Sequence, residues 1–270
     1  MNFTKMHGLG NDYVYINGFI EKYPNWPYLA KKISQPHFGV GCDGMVLILP
    51  SDRADFKMRV FKSDGSEGEI SGNGLRCAAK YVYENNLTTK THLFFETFVG
   101  KKELFLREES GQITLVQVNM GMPETEPSVC LVLPDEREVF GQVVTTGNPH
   151  FVIPVSHVFD YPVERMGKII ERHPHFMQRP SIEFVEILDR GHIRMRIWER
   201  GVGETYASGT GACAAAMSGI DQGFLDETVD VELLGGHLQV SYDSFYRLVL
   251  MAGPAETVFT GKFSKAFLEY

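Results

Sequence analysis

Two stretches of the chain carry one small-residue signature: Ser71-Gly72-Asn73-Gly74 and Ser208-Gly209-Thr210-Gly211, 137 positions apart in 270 residues. A second pair keeps that interval, since "GNDYVYI" begins at Gly10 and "GNPHFVI" at Gly147. A third keeps it too, with Glu67 four residues before Ser71 and Glu204 four before Ser208. Three features sharing one offset describe a diverged duplication, with two related halves each of ordinary domain size. Whatever architecture suits one half has to suit the other.

Local pattern says what that architecture contains. Lys57–Lys62 "KMRVFK", Leu93–Phe98 "LFFETF" and His192–Glu199 "HIRMRIWE" show the alternation, or the β-branched and aromatic content, of strands. After Ser71 and Ser208 the character changes: "GLRCAAKYVYENN" and "GACAAAMSGIDQG" are rich in Ala and straight-chain residues and end on Asn or Gly stop signals. Each half reads as strands, a glycine turn, then one helix. The apolar surround of "ACAAAM" predicts a helix buried inside its domain.

The glycine turns matter for function because a helix start has four N–H groups without internal partners and the positive end of the helix dipole. A carboxylate can dock there. Read one at a time, SGNG and SGTG are equally well N-caps followed by tight turns. Neither copy has a P-loop ending, and "GVGETYASGTG" does not keep the spacing of a dinucleotide fingerprint.

Composition narrows the ligand. With 43% hydrophobic and 22% charged residues the chain is an ordinary globular protein, and a net charge of −8 without a Lys/Arg-rich run argues against nucleic acid. No apolar run approaches the roughly 20 residues that span a bilayer, and "MNFTKMHGLGND" lacks the apolar stretch of a signal peptide. The expectation is a cytoplasmic protein, without membrane partners, that binds a small polar molecule. Cys42, Cys77, Cys130 and Cys213 form no CxxC or Cys/His cluster, so neither a metal site nor a disulfide framework is expected.

Two helix starts facing one ligand could hold its carboxylate and place one side chain on either face of the adjacent carbon. That is a geometry for inverting a stereocentre: one group removes the α-proton, the other returns one from the opposite side, and the N–H groups stabilise the developing charge. Cysteine suits both positions, because a helix N-terminus depresses a thiol's pKa. Here both hold serine, a far weaker base.

From end to end the chain resembles the diaminopimelate epimerase family of cofactor-independent amino-acid racemases. The likeness runs through "FTKMHGLGNDY" (3–13), "GVGCDG" (39–44), "DGSE" (64–67), "SGNGLRC" (71–77), "GNPH" (147–150), "ERGVGET" (199–205), "SGTGACA" (208–214) and "GPAETVF" (253–259). It implies an α/β fold of two pseudo-twofold domains, each a curved mixed sheet wrapped around a central helix. Residues 1–115 with 256–270 would form one domain, 116–255 the other, and the active site would lie in the cleft. It implies catalytic cysteines where Ser71 and Ser208 stand, and neither a cofactor nor a metal. The substrate's α-carboxylate would sit on the N–H groups of Gly72, Asn73, Gly209 and Thr210, with Asn11, Asn148, Glu199 and Arg200 lining the remainder. Read without the family, Asn11 and Asn148 also fit turns, and Glu199 with Arg200 a solvated ion pair.

The matched Cys-to-Ser change reads as an inactivation that leaves binding intact, with a natural non-catalytic amino-acid binder as the rival. Cys77 and Cys213 lie more than a turn into their helices and read as core residues. His7 and His150 read as supports for their turns. Gly44, Lys62 and Ser181 depart from the family pattern where the distal end of diaminopimelate is recognised, and a site stripped of polar partners discriminates against the group they served. The expected activity is therefore histidine racemase, with diaminopimelate epimerase as the alternative, in a homodimer.

Overall fold

The computed structural model describes residues 1–68 and 70–269; Glu69, beside the first glycine motif, and Tyr270, the last residue of the returning segment, lie outside them. The chain divides into two compact units, residues 1–118 with 253–270 and residues 119–252. Both are mixed α/β and mostly strand.

In the first unit, strand Asn2–Gly8 lies antiparallel to Asn11–Asn17 on one side and to Glu256–Lys262, from the chain's end, on the other. Asn11–Asn17 then pairs in parallel with Gly44–Leu49, and helix α1, Trp26–Ser34, makes the crossover. Gly44–Leu49 continues antiparallel to Phe56–Lys62, which pairs with the short strand Glu67–Gly68 and in parallel with His92–Thr97. Helix α2, Gly72–Glu84, connects these last two.

The second unit repeats the scheme. Glu138–Thr145 is antiparallel to Pro149–Pro154, which pairs in parallel with Ser181–Asp189 across helix α3, Val163–Glu171. Ser181–Asp189 pairs with His192–Glu199, and that strand with Gly203–Thr205 and in parallel with Thr228–Leu233. Helix α4, Gly209–Asp221, lies between. The bounds of α3 and α4 are those of α1 and α2 shifted by 137, and the parallel registers Tyr13↔Gly44 and His150↔Ser181 keep that shift.

The expectation of one helix per half is corrected by α1 and α3. These short helices cover the outside of the parallel strand pairs, and only one stripe of each is apolar: Leu29, Ala30 and Ile33 in α1, Val163, Met166 and Ile170 in α3. A narrow stripe flanked by Lys31 and Lys32 carries less signal than a wholly apolar segment.

α2 and α4 occupy the centres of their units, packed against strands of their own unit. The prediction for "ACAAAM" holds: Gly211 through Gly219 of α4 are all buried. Small residues permit this. A Cβ on Gly219 would lie 2.3 Å from Leu225 Cδ1, closer than packed atoms approach. Separate apolar cores complete the units, around Val14, Ile16, Met45 and Phe61 in the first and Phe151, Ile153, Ile182 and Phe184 in the second. Among the described residues no helix is long and apolar enough to cross a membrane.

Candidate active-site residues at two helix starts

Ser71 and Ser208 are the N-caps of α2 and α4. Their backbones agree closely, with φ/ψ of −131°/119° and −130°/121°. Each hydroxyl oxygen accepts the N–H three residues on, from Gly74 at 2.9 Å and from Gly211 at 3.2 Å. Each carbonyl accepts the next donor, from Leu75 at 2.8 Å and Ala212 at 3.0 Å. Gly72 with Asn73, and Gly209 with Thr210, precede these donors, at positions where an α-helix offers no internal partner to the N–H. The second glycine of each motif is required by close approach. A Cβ at Gly74 would meet Ser71 Cβ at 3.1 Å, and one at Gly211 would meet Ile197 Cδ1 at 2.7 Å and Glu183 Oε1 at 2.9 Å.

The repeated carboxylates have a structural task. Arg59 makes a two-pronged contact with Glu67 and Arg196 the same with Glu204, so the pairs also share the 137 shift. The Arg59 hydrogen bond holds the Glu67 carboxyl below the usual range. The clamp fastens the short strand that leads into each glycine turn to its neighbour, and so aims the helix start.

Beneath the two caps the halves differ. In the first unit Asn11 Oδ1 accepts from Ser71 Oγ at 3.2 Å and Asn73 Nδ2 at 3.4 Å, while Asn11 Nδ2 donates to Asp43 Oδ2 at 2.7 Å. Tyr15, fully buried, donates its hydroxyl to the Gly74 carbonyl at 3.0 Å. Arg76 is also fully buried, and its Nε donates to the Pro254 carbonyl at 3.0 Å. In the second unit Thr146 Oγ1 donates to the Thr210 carbonyl at 2.9 Å, and Ser208 Oγ lies 3.3 Å from Thr210 Oγ1. His150 Nδ1 meets Glu183 Oε1 at 2.6 Å with both side chains buried.

His7 supports its turn, its Nδ1 accepting the Gly10 N–H at 3.3 Å, whereas His150 does not; it is committed to Glu183. Cys77 and Cys213 are buried, and burial pushes the Cys77 thiol up to about 11, which removes it as a base near neutral pH.

The remaining candidates divide by unit. Gly44 and Lys62 are in the first, where a Cβ on Gly44 would stand 2.2 Å from the Phe61 carbonyl oxygen and Lys62 is exposed. In the second, half-buried Asn148 closes its turn by accepting the Thr146 N–H on its carbonyl at 3.3 Å. Ser181 Oγ accepts the Arg200 N–H at 3.2 Å, Arg200 Nη1 donates to the Arg179 carbonyl at 3.3 Å, and Glu199 Oε1 accepts from Thr205 Oγ1 at 2.5 Å. Sequence reasoning passed over Asp43, Glu183 and the two clamp arginines. The arginines carried a readable signal, the same offset as the glutamates they hold.

The diaminopimelate epimerase family model matches residues 3–126 and 142–258. A diaminopimelate epimerase of Methanococcus maripaludis is 43% identical over 97% of this chain and 99% of its own length. One of Acetivibrio thermocellus is 46% identical over 97% and 98%. Among solved structures, a PhzF-family phenazine biosynthesis protein of Bacillus anthracis superposes with a TM-score of 0.76 at 18% identity, covering 97% of this chain and 98% of that one. A probable proline racemase of Agrobacterium radiobacter does so at 0.75 and 14%, covering 98% and 93%. At these identities the structures share the fold.

Proposed function

The chain belongs to the diaminopimelate epimerase family, and from that premise we propose that it inverts the α-carbon of an amino acid without a cofactor, with diaminopimelate as the favoured substrate. The observation that carries this is the pair of helix starts with one cap geometry, each presenting a proton-bearing side chain beside N–H groups suited to a carboxylate.

In this reading the α-carboxylate rests on the N–H groups of Gly72, Asn73, Gly209 and Thr210, and Asn11, Asn148, Glu199 and Arg200 orient the substrate. The group at one cap takes the α-proton, and its C–H electron pair becomes the carbanion's. The group at the other cap delivers its own proton to the opposite face. The two groups thereby exchange protonation states, and proton exchange with water resets them for the next turnover. Each such acid–base contribution is worth about 10²- to 10⁴-fold. Hydroxyls at 71 and 208 forfeit most of this, so the chain as it stands binds its amino acid and turns it over slowly. A non-catalytic binder is the limiting case.

Diaminopimelate takes first place over histidine because relatives at 43% and 46% identity bear that enzyme's name. Histidine stays as the second reading on one observation. Gly44 has no room for a side chain and the Ser181 hydroxyl is engaged by Arg200, so two positions that would reach a distal amino-acid group are committed elsewhere. A cytoplasmic homodimer belongs to the same reading; a single-protomer mass by light scattering at working concentration would remove the dimer from it.

The test restores both thiols, Ser71→Cys with Ser208→Cys, and follows deuterium uptake at the α-carbon in heavy water. Diaminopimelate and histidine are supplied separately. Exchange with diaminopimelate supports the first reading, exchange confined to histidine reverses the order, and none with either, despite measurable binding, leaves the binder.

A further inference from the structure

Asn11 and Asn148 hold the same place in the two halves, but the residue 137 positions beyond Asp43 is Pro180, so the second half has no carboxylate at that point. In the first half the carboxylate is firmly placed. Asp43 Oδ2 accepts the Asp12 N–H at 3.0 Å as well as the Asn11 amide at 2.7 Å. The Asp43 N–H returns to the Asp12 carbonyl at 3.0 Å and to Asp12 Oδ1 at 3.1 Å. Asp12 is in turn held by Lys5 at 2.8 Å, and Lys5 Nζ also donates to the Gly41 carbonyl at 2.7 Å.

An asparagine amide has two unlike ends, and an ionised carboxylate can only accept. Turned over, Asn11 would set its carbonyl oxygen against the Asp43 oxygen, two acceptors at hydrogen-bond distance. Asp43, at 2.7 Å, therefore sets the NH2 away from the helix start and the C=O toward position 71, and the longer 3.4 Å contact from Asn73 Nδ2 to the Asn11 oxygen favours the same orientation. A carbonyl oxygen there takes a hydrogen bond from the protonated group and repels the anion. Both positions receive the N–H three residues on, from Gly74 and Gly211; what differs is the next neighbour, since position 208 meets the Thr210 hydroxyl, able to donate to an anion, where position 71 meets the Asn11 oxygen.

We propose that Asp43 is a positioning residue that locks the Asn11 amide with its oxygen toward position 71, so that position 71 rests as the proton donor of the pair and position 208 as the acceptor. This rests on the reading of 71 and 208 as the acid–base positions. The other charged groups on the first unit's elements around this point are Arg76 on α2 and Lys5 and Asp12 on the paired strands. They act alike on every variant below and cancel between them.

The test follows the thiol of Ser71→Cys by iodoacetamide alkylation against pH, resolved by peptide mass spectrometry so that the native cysteines do not interfere. Adding Asp43→Ala removes the partner of the Asn11 NH2 and leaves only the 3.4 Å contact from Asn73 against the amide's turning its NH2 toward the thiolate. Alkylation near neutral pH is then expected to run about three- to tenfold faster, as for a pKa lower by half a unit to one unit. Asp43→Asn, whose carbonyl oxygen can still accept from Asn11, is expected to leave the rate unchanged. In an Asn11→Ala background Asp43→Ala is expected to change nothing, because the path from 43 to 71 is gone. Acceleration that is equal with and without Asn11, or absent in both, overturns the proposal. Should Asp43→Ala fail to fold, nitrogen-15 spectra of the unaltered chain decide: the Asn11 side-chain NH2 signals are expected to move as Asp43 titrates, and signals that stay still overturn it. Alkylation needs no turnover, so failure of the epimerase reading would leave this result standing.

Discussion

The two units build one helix start on two different electrostatic foundations. In the first, a fully buried Arg76 and an exposed Asp43–Asn11 pair surround Ser71; in the second, the buried His150–Glu183 pair lies under Ser208. At the corresponding positions the partner half has Cys213 for Arg76, Pro180 for Asp43, Tyr13 for His150 and Val46 for Glu183. What repeats is what the backbone requires: the cap, the close-approach glycine and the Arg–Glu clamp. What differs is the charge around each proposed acid–base position. A reaction that takes a proton on one face and gives one on the other has use for such inequality, since two identical groups would compete for the same role.

The largest effect should come from breaking the pair chemically. Relative to the present chain, Ser71→Cys with Ser208→Cys is expected to raise α-carbon inversion by several orders of magnitude, about 10²-fold or more for each acid–base group restored. Either single restoration should exchange the α-proton of one enantiomer with solvent deuterium while inverting little. The two singles should prefer opposite enantiomers. Chiral chromatography with mass detection reads both quantities, and two singles with the same preference would mean that the halves do not serve opposite faces.

The next effect is on stability. Glu183→Ala strips His150 of its buried partner and is expected to cost about 3 kcal/mol in denaturant unfolding, whereas Asp43→Ala, at an exposed position, should cost less than about 1 kcal/mol. A pH signature accompanies the first. Burial above all pushes the Glu183 carboxyl above its ordinary value. A carboxyl with a raised folded pKa binds more protons folded than unfolded between the two values. Its contribution to stability is therefore whole below the unfolded pKa and is lost as pH rises through the folded one. Glu183→Gln should remove that decline, giving a shallower fall of unfolding free energy from mildly acidic to neutral pH. An unchanged slope would assign the decline to other groups.

These contrasts also show how far the sequence could be read. The Ser-Gly-x-Gly repeats located both caps and both central helices, because caps and helix composition are local. Glu67 and Glu204 were visible as a repeat, but their role depends on Arg59 and Arg196 across a strand pair. Asp43 with Asn11, and Glu183 with His150, join residues 32 and 33 positions apart. Both arise from the parallel pairings Tyr13↔Gly44 and His150↔Ser181, whose registers are set by the crossovers containing α1 and α3. A sequence pattern that passes over those short amphipathic helices also misses the register, and with it the side chains the register brings together.

The clamps offer a smaller contrast. Arg59 and Glu67 are about one-third exposed, at 34% each, and the pair resembles surface ion pairs; Arg59→Ala should cost at most about 1 kcal/mol. Arg196 also donates through Nη1 to the carbonyls of Val158, Phe159 and Tyr161 at 3.2, 3.1 and 3.0 Å. Removing it takes one donor from each of these carbonyls as well as the partner of Glu204, although Val158 and Tyr161 keep the N–H groups of Tyr161 and Val163, and Arg196→Ala should cost about 2 kcal/mol. Equal losses by chemical denaturation would show that the carbonyl contacts contribute nothing.

The smallest difference is expected at the caps themselves. Ser71 and Ser208 share φ and ψ to within 2° and hold the same N–H three residues on, so Ser71→Ala and Ser208→Ala should each cost about 1 kcal/mol, the usual loss of a serine N-cap. Their neighbourhoods pull apart only slightly. Ser71 also donates to Asn11 Oδ1 at 3.2 Å, while Ser208, 8% exposed, lies 3.3 Å from the Thr210 hydroxyl. Each alanine thus removes the cap and one weak hydroxyl contact, and the two losses should agree within the few tenths of a kcal/mol over which independent sites add. A difference larger than about 1 kcal/mol would place the divergence of the halves in the cap itself. Agreement would confine it to the side chains that surround the helix start.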